Sequence, residues 1–264
     1  MSFFLFDTAN HLLLHRIHWT QPRRDVIIPY SQNEDNPPII PDAPYQPTDR
    51  RPIASRNLRV MQSLASFLVR WKVSENAISI AGIIFAIVGG FAFAATANVP
   101  DWQRWCWLTA ALMIQLRLLA NLLDGMVAIE SGQASPVGEL FNEVPDRVSD
   151  AAILIGAGYA LGGDPILGYI AACAALFTAY VRAIGKAAGA ANEYCGPMAK
   201  QQRMFIMTMV AVFHGLTPTD WNIRFGEPPT WGVVAAGLVI VIVGSAVTSA
   251  LRLLRIANTL RKPK

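Results

Sequence analysis

Four stretches of the chain carry no Asp, Glu, Lys or Arg: residues 76–100, 165–181, 204–219 and 228–251. A helix that crosses a bilayer needs about 20 mostly apolar residues, within a range of about 17–25. The first and last stretches meet that length. The two between them fall slightly short, so flanking residues must lie at membrane depth. Adding two apolar segments interrupted by charge, the pattern predicts an all-α, polytopic membrane protein with six transmembrane helices. They lie near 76–98, 105–128, 138–161, 165–187, 201–218 and 230–254. External connections fall at 99–104, 162–164 and 219–229, internal ones at 129–137 and 188–200.

Upstream, the pattern changes. Leu58, Met61, Leu64, Leu68 and Trp71 recur at helical spacing, with Arg56, Arg59, Arg70 and Lys72 between them. That suits a basic amphipathic helix lying on an anionic leaflet, and residues 53–74 are read as this interfacial helix. Residues 1–52 hold eight of the 17 prolines and form a largely disordered, Pro-rich cytoplasmic region. Within it, 3–19 reads as a short amphipathic surface helix. The run Phe3–Phe6 does not resemble a signal peptide: no basic region precedes it, and Asp7, Asn10 and His11 interrupt the apolar pattern just after it. Residues 75–258 then form the six-helix transmembrane catalytic domain, and 259–264 a basic cytoplasmic tail.

Composition agrees with lipid as the main solvent. Charged residues make up 15% of the chain, against about 25% for a soluble domain. The net charge of +4 would suit nucleic acid, but its placement argues against that partner. Lys and Arg concentrate on one predicted side: nine in 1–72, five after residue 251, and Arg182, Lys186, Lys200 and Arg203 around the second internal loop. The opposite side has Arg104 and Arg224. Both termini are therefore expected in the cytoplasm. Cys106, Cys173 and Cys195 show no metal or disulfide spacing and read as buried small apolar side chains. His214 reads as packed or interfacial, and Trp102, Trp105, Trp107, Trp221 and Trp231 as an aromatic belt.

The third crossing carries the chemistry. Its clean apolar part, 151–163, has 13 residues and is too short to span. The helix must begin near Gly138, which brings Glu139, Asn142, Glu143, Asp146, Arg147 and Asp150 to the inner leaflet. Ionisable groups at such depth are costly and face a bundle interior or a wet cavity. At about 100° per residue, Gly138, Asn142, Asp146 and Ser149 form one stripe, which Glu139, Glu143 and Asp150 widen. In the second crossing, Arg117, Asn121, Asp124 and Ala128 also share a face. A short internal loop joins the two helices, so the polar faces meet. Converging carboxylate and amide oxygens call for a hard divalent cation, Mg²⁺, Mn²⁺ or Ca²⁺. A buried polar network that only fixes the helices, and an ion pathway, are the alternatives.

At these residues the chain resembles the CDP-alcohol phosphotransferase family, whose signature is D-x2-D-G-x2-A-R-x8-G-x3-D-x3-D. Here the same spacing reads Asn121-x2-Asp124-Gly125-x2-Ala128-Ile129-x8-Gly138-x3-Asn142-x3-Asp146. Five of the eight positions are identical. Val73-Ser-Glu-Asn76-Ala-Ile-Ser-Ile-Ala-Gly82 resembles the family's opening of the first crossing, and Ala179-Tyr180-Val181-Arg182-Ala183 its YVRAR segment. The resemblance spans roughly 55–255.

What the resemblance implies is transfer of a phosphatidyl or related phosphoryl-linked group from a CDP-activated lipid to an alcohol, with release of CMP, in phospholipid biosynthesis. It implies metal at the acidic positions (Asn121, Asp124, Asn142 and Asp146), with Glu143 and Asp150 as adjacent candidate ligands. Asp146 would be the catalytic base. Gly125, Ala128 and Gly138 would let the nucleotide approach closely, and Arg117 would supply the charge lost where Ile129 replaces arginine. Asn121 and Asn142 bring no charge, so one of the family's two metal sites is expected to be weak or absent. The chain therefore reads as a divergent subgroup. Mg²⁺ or Mn²⁺ is the implied cofactor, a CDP-diacylglycerol-like lipid the donor, and a small or phosphorylated alcohol the acceptor, near Arg182, Lys186, Lys200 and Arg203. The active site would face the cytoplasm from a bacterial inner membrane, with a homodimer the assembly to test. A CDP-lipid pyrophosphate hydrolase and a non-catalytic lipid- or nucleotide-binding protein are the competing readings.

Overall fold

The computed structural model describes residues 58–132, 136–218, 221, 224–225 and 231–261, with the side chains of 136–142 and 224–225 outside the description. The elements expected in 1–57, including the surface helix at 3–19, lie outside these residues. Seven α-helices dominate: α1 (Arg59–Arg70), α2 (Glu75–Ala95), α3 (Gln103–Glu130), α4 (Pro136–Gly158), α5 (Pro165–Ala187), α6 (Lys200–Leu216) and α7 (Val233–Leu260). A short antiparallel pair, β1 (Arg224–Phe225) with β2 (Trp231–Gly232), precedes α7.

Local chemistry sets several helix starts. Ser74 Oγ accepts the Ala77 N–H at 3.2 Å and Glu75 follows in the first turn, so α2 begins there. Asp164 accepts the Leu167 N–H at 3.0 Å, and Pro165 occupies the position where a missing N–H costs nothing. The other Asp164 oxygen accepts the Trp231 indole N–H at 3.1 Å, tying the start of α5 to β2.

Among the described residues four segments are long and apolar enough to cross a membrane: Glu75–Ala95, Pro100–Glu130, Pro165–Ala187 and Val233–Leu260. The predicted third and fifth crossings, α4 and α6, do not qualify on that basis. Glu143, Asp146, Arg147 and Asp150 lie along α4, and α6 has only 17 residues, with Lys200 and Arg203 in its first turn.

Helices α2 to α7 share one core, in which Phe93, Trp107, Ile114, Ile153, Leu154, Met204, Met207 and Leu238 are almost fully buried. Trp107 thus belongs to the core rather than to an interfacial belt, and His214 stacks on it at 4.5 Å. Ile80, Ile84, Phe91, Leu112, Ile166, Phe205 and Val243 point outward, as lipid-facing side chains do. Where α2 crosses α4 the backbones touch. A Cβ on Gly90 would come well within 3.0 Å of the Ala152 carbonyl oxygen, and one on Gly156 equally close to that of Gly90. Only glycine fits at either place.

Helix α1 packs Leu64, Ala65 and Leu68 against Ala120, Leu123 and Val127 of α3, while Val60, Phe67 and Trp71 remain exposed. The three cysteines form no disulfide; Cys173 is exposed on α5 and the other two are half-buried, so none is the core residue expected.

Candidate active site

The 3.6-residue period places Arg117, Asn121 and Asp124 on one face of α3, and this face turns inward: Arg117 is 1% and Asp124 4% exposed. Opposite stand Pro145, Asp146 and Ser149 of α4, with Ser79 and Gly82 of α2 closing the side. These residues line one crevice of about 10 Å³, room for a single water-sized body. Pro145 lacks an N–H for the helix ladder.

Asp124 is held by two donors. Ser79 Oγ donates to its Oδ2 at 2.9 Å, and the Gly125 N–H to its Oδ1 at 2.5 Å. Each oxygen keeps a second lone pair for a further partner. Asp146 concentrates its contacts on Oδ1, which receives Asn121 Nδ2 at 2.8 Å and Arg117 Nη2 at 3.3 Å, and forms an ion pair with Lys200 Nζ. Its Oδ2 has no partner among the described residues.

One turn further along α4 lies Asp150, 1% exposed. Arg117 Nη2 donates to its Oδ1 at 2.8 Å and Arg203 Nη2 to its Oδ2 at 2.7 Å. Arg203 also donates to the Met198 carbonyl at 3.1 Å and to Thr178 Oγ1 at 3.3 Å. Asp150 therefore fastens α3, α4 and α6 together. Buried pairs of this kind hold only when every charge is matched.

Several expected roles change with these placements. Asp150 does not line the crevice, because both its oxygens are taken by guanidinium groups. Glu143 is exposed and also stands away from the crevice: it pairs with Arg147 one turn along α4 and with Arg182 Nη2 of α5 at 2.5 Å. Neither acid is placed to ligate a metal beside Asp124. Arg203, expected at an acceptor pocket, is buried beneath the centre. Lys200 lies at the centre itself, on Asp146. Arg182 packs its guanidinium over the Tyr194 ring at 5.5 Å, and Lys186 is exposed without a described partner. Gly125 and Ala128 are buried on α3. Gly138 and Asn142 fall on the first half of α4, where side chains are not described.

Three polar residues escape a reading of the sequence. Ser79 orients Asp124, and its only signal is its place in the segment 73–82. Thr178 receives Arg203. Arg252, counted among the basic residues after 251, is 6% exposed and donates to the Cys195 carbonyl at 3.0 Å and the Thr178 carbonyl at 2.8 Å. Long-range pairing of this sort has no periodicity to betray it.

Among the described residues no three His, Cys, Asp or Glu side chains gather as a metal site. The crevice instead offers two carboxylates, from Asp124 and Asp146, with the amide of Asn121 and the hydroxyl of Ser79. All are hard oxygen donors, and the set fits one Mg²⁺ or Mn²⁺.

No family profile matches the sequence. The phosphatidylinositol phosphate synthase of Streptomyces avermitilis is 29% identical to this chain over 196 residues, covering 72% of this chain and 75% of that protein. The archaetidylinositol phosphate synthase of Aeropyrum pernix is 28% identical over 155 residues, covering 58% and 75%. These likenesses agree with the resemblance of residues 121–146 to the CDP-alcohol phosphotransferase signature. Two structures of the Mycobacterium tuberculosis phosphatidylinositol phosphate synthase share the fold of this chain. The one with manganese and citrate has a TM-score of 0.60 at 19% identity, covering 77% of this chain and 93% of that one. The one with CDP-DAG bound has a TM-score of 0.60 at 20% identity, covering 78% and 99%. Four helices among the described residues are fit to cross the bilayer, which supports an integral membrane protein. The motif runs from the middle of α3 to the middle of α4, and Asn121 and Asn142 stand where the signature has acids.

Proposed function

We propose that this chain transfers a phosphatidyl-type group from a CDP-activated lipid to an alcohol acceptor, releasing CMP, as a step in phospholipid biosynthesis. The observation that carries the reading is the crevice in which Asp124, Asp146 and Asn121 converge beside the buried Arg117. In the mechanism proposed, the acceptor hydroxyl oxygen bonds to the phosphorus that carries the lipid. The bond from that phosphorus to the oxygen bridging the two phosphates breaks, and that oxygen leaves with CMP. The hydroxyl proton passes to Asp146 Oδ2, the oxygen no described group occupies. General-base assistance of this kind is worth about 10²–10⁴-fold. Arg117 Nη1, buried and without a described hydrogen-bond partner, is placed to meet a donor phosphate oxygen. Asp124, the Asn121 amide oxygen and one lone pair of Asp146 Oδ2 would hold Mg²⁺ or Mn²⁺, which would supply positive charge to the pyrophosphate, leaving the second Oδ2 lone pair for the proton.

The membrane arrangement belongs to the same proposal. Helices α4 and α6 complete a six-helix domain over 75–258, their charges turned to the centre rather than to lipid. Helix α1, with Val60, Phe67 and Trp71 exposed, lies in the interface, and both termini and the crevice face the cytoplasm of a bacterial inner membrane. The acceptor is a small or phosphorylated alcohol entering past Arg182 and Lys186. Inositol phosphate heads the candidates because the relatives are synthases of phosphatidylinositol phosphate and archaetidylinositol phosphate.

The test is CMP release from CDP-diacylglycerol by the purified protein with Mg²⁺ and a panel of alcohols. Release that depends on one alcohol, and is lost in Asp146→Ala, supports transfer. Equal release without alcohol would point to pyrophosphate hydrolysis, and donor binding without release to a non-catalytic protein.

A further inference from the structure

Asp146 is the one acid at the crevice already met by cations. Its Oδ1 carries the Lys200 ion pair, the Arg117 contact at 3.3 Å and the Asn121 amide at 2.8 Å. An oxygen that already accepts two hydrogen bonds, with an ammonium held against it, has no lone pair left for a metal ion. Only Oδ2 of Asp146 remains for that purpose. The surrounding charge leads to the same result. Among the described residues, Arg117, Lys200 and Arg203 stand against Asp124, Asp146 and Asp150, so the centre balances before any ion enters. One divalent cation would leave it with two positive charges, which match the charge a pyrophosphate brings. A second would lie on an oxygen that Lys200 already holds, against like charge in a poorly hydrated place.

We infer that Lys200 is a resident counter-charge for Asp146 which, with Arg117 and the Asn121 amide, limits the centre to a single divalent cation. The inference rests on the reading of the crevice as a cation site and goes beyond it, since it assigns to side chains the charge that a second ion would bring. Lys200 is thus a positioning residue: it fixes Asp146 with one oxygen masked and one open. Nothing in its sequence context, the first turn of a helix beside a cytoplasmic loop, separates it from an ordinary lipid-anchoring lysine.

The experiment counts manganese. Wild type, Lys200→Met, Lys200→Arg and the double variant Asn121→Asp/Lys200→Met are purified in detergent and equilibrated with MnCl₂ alone. Bound manganese per chain is read by elemental analysis, and coupling between neighbouring ions by electron paramagnetic resonance. One ion is expected in wild type and in Lys200→Arg. Two, with a spin-coupled signal, are expected in the double variant. Lys200→Met keeps Arg117 and Asn121 on Asp146 and so preserves the fold, and it should bind its ion about tenfold or more tightly because a neighbouring cation is gone. Two ions in wild type would overturn the inference and leave the proposed function standing. No ion in wild type would overturn the cation reading itself. A double variant that still binds one ion, or unchanged affinity in Lys200→Met, would show that Lys200 does not set the number.

Discussion

Asp146 and Asp150 are one helical turn apart and bear the same charge, yet the structure gives them opposite duties, and Asp150→Ala measures the difference. The removed carboxylate is 1% exposed and is the only acid paired with Arg203 among the described residues. Without it Arg203 retains two neutral acceptors, Met198 O and Thr178 Oγ1, for a full buried charge. Arg117 keeps Asp146 alone, through its carboxylate at 3.3 Å and its backbone carbonyl at 3.2 Å. Removing one partner of a buried pair costs about 3–5 kcal/mol. In a protein of this size each kcal/mol moves the melting temperature by about 2–4 °C; the variant should therefore melt roughly 6–20 °C below wild type. Asp146→Ala leaves Arg117 on Asp150 and strands one cation, the buried Lys200 ammonium, whereas Asp150→Ala strands Arg203 and weakens Arg117 as well. Asp146→Ala should therefore cost less than Asp150→Ala while lowering turnover by about 10²-fold or more. Thermal unfolding followed by fluorescence-detected gel filtration reads the first quantity and CMP release the second. The reasoning is refuted if Asp150→Ala melts within a few degrees of wild type, or if Asp146→Ala is the less stable of the two.

Three other expectations rest on single contacts. Ser79→Ala removes the hydroxyl that orients Asp124 and should weaken manganese binding by about 10–100-fold in a titration, with the fold retained. Glu143→Gln breaks exposed pairs with Arg147 and Arg182, so manganese per chain should not change and stability should fall by less than about 1 kcal/mol. Gly90→Ala forces α2 and α4 apart and should destabilise by about 1–3 kcal/mol in thermal unfolding.

Legibility in the sequence divides along physical lines. The face shared by Arg117, Asn121 and Asp124 is readable because helical period alone decides it. The same arithmetic groups Glu143 and Asp150 with Asp146, and there it misleads. Period tells which residues share a face, not which neighbour meets them. Arg182 from α5 reaches Glu143, and Arg117 and Arg203 reach Asp150, through contacts between residues 33 to 53 positions apart. Lys200 reads as an acceptor-side charge and Arg252 as one more cytoplasmic basic residue for the same cause, since a basic residue at a helix end looks alike whether it faces phosphate or an acid. Helices α2, α5 and α7 are plain because lipid selects composition directly. Helices α3 and α4 carry charge that serves the centre, and α6 is short with Lys200 and Arg203 in its first turn, so composition reads them less clearly.

The backbone contact between Gly90 and Gly156 reaches beyond packing. Ten residues of α4 separate Gly156 from Asp146, a lever of about 15 Å. A pivot of only about 4° at the glycines would swing the acid by about 1 Å, and errors of that size cost an enzyme about 10²-fold in rate. Two residues without side chains, remote from any reacting atom, thus act as the fulcrum that sets the aim of the carboxylate.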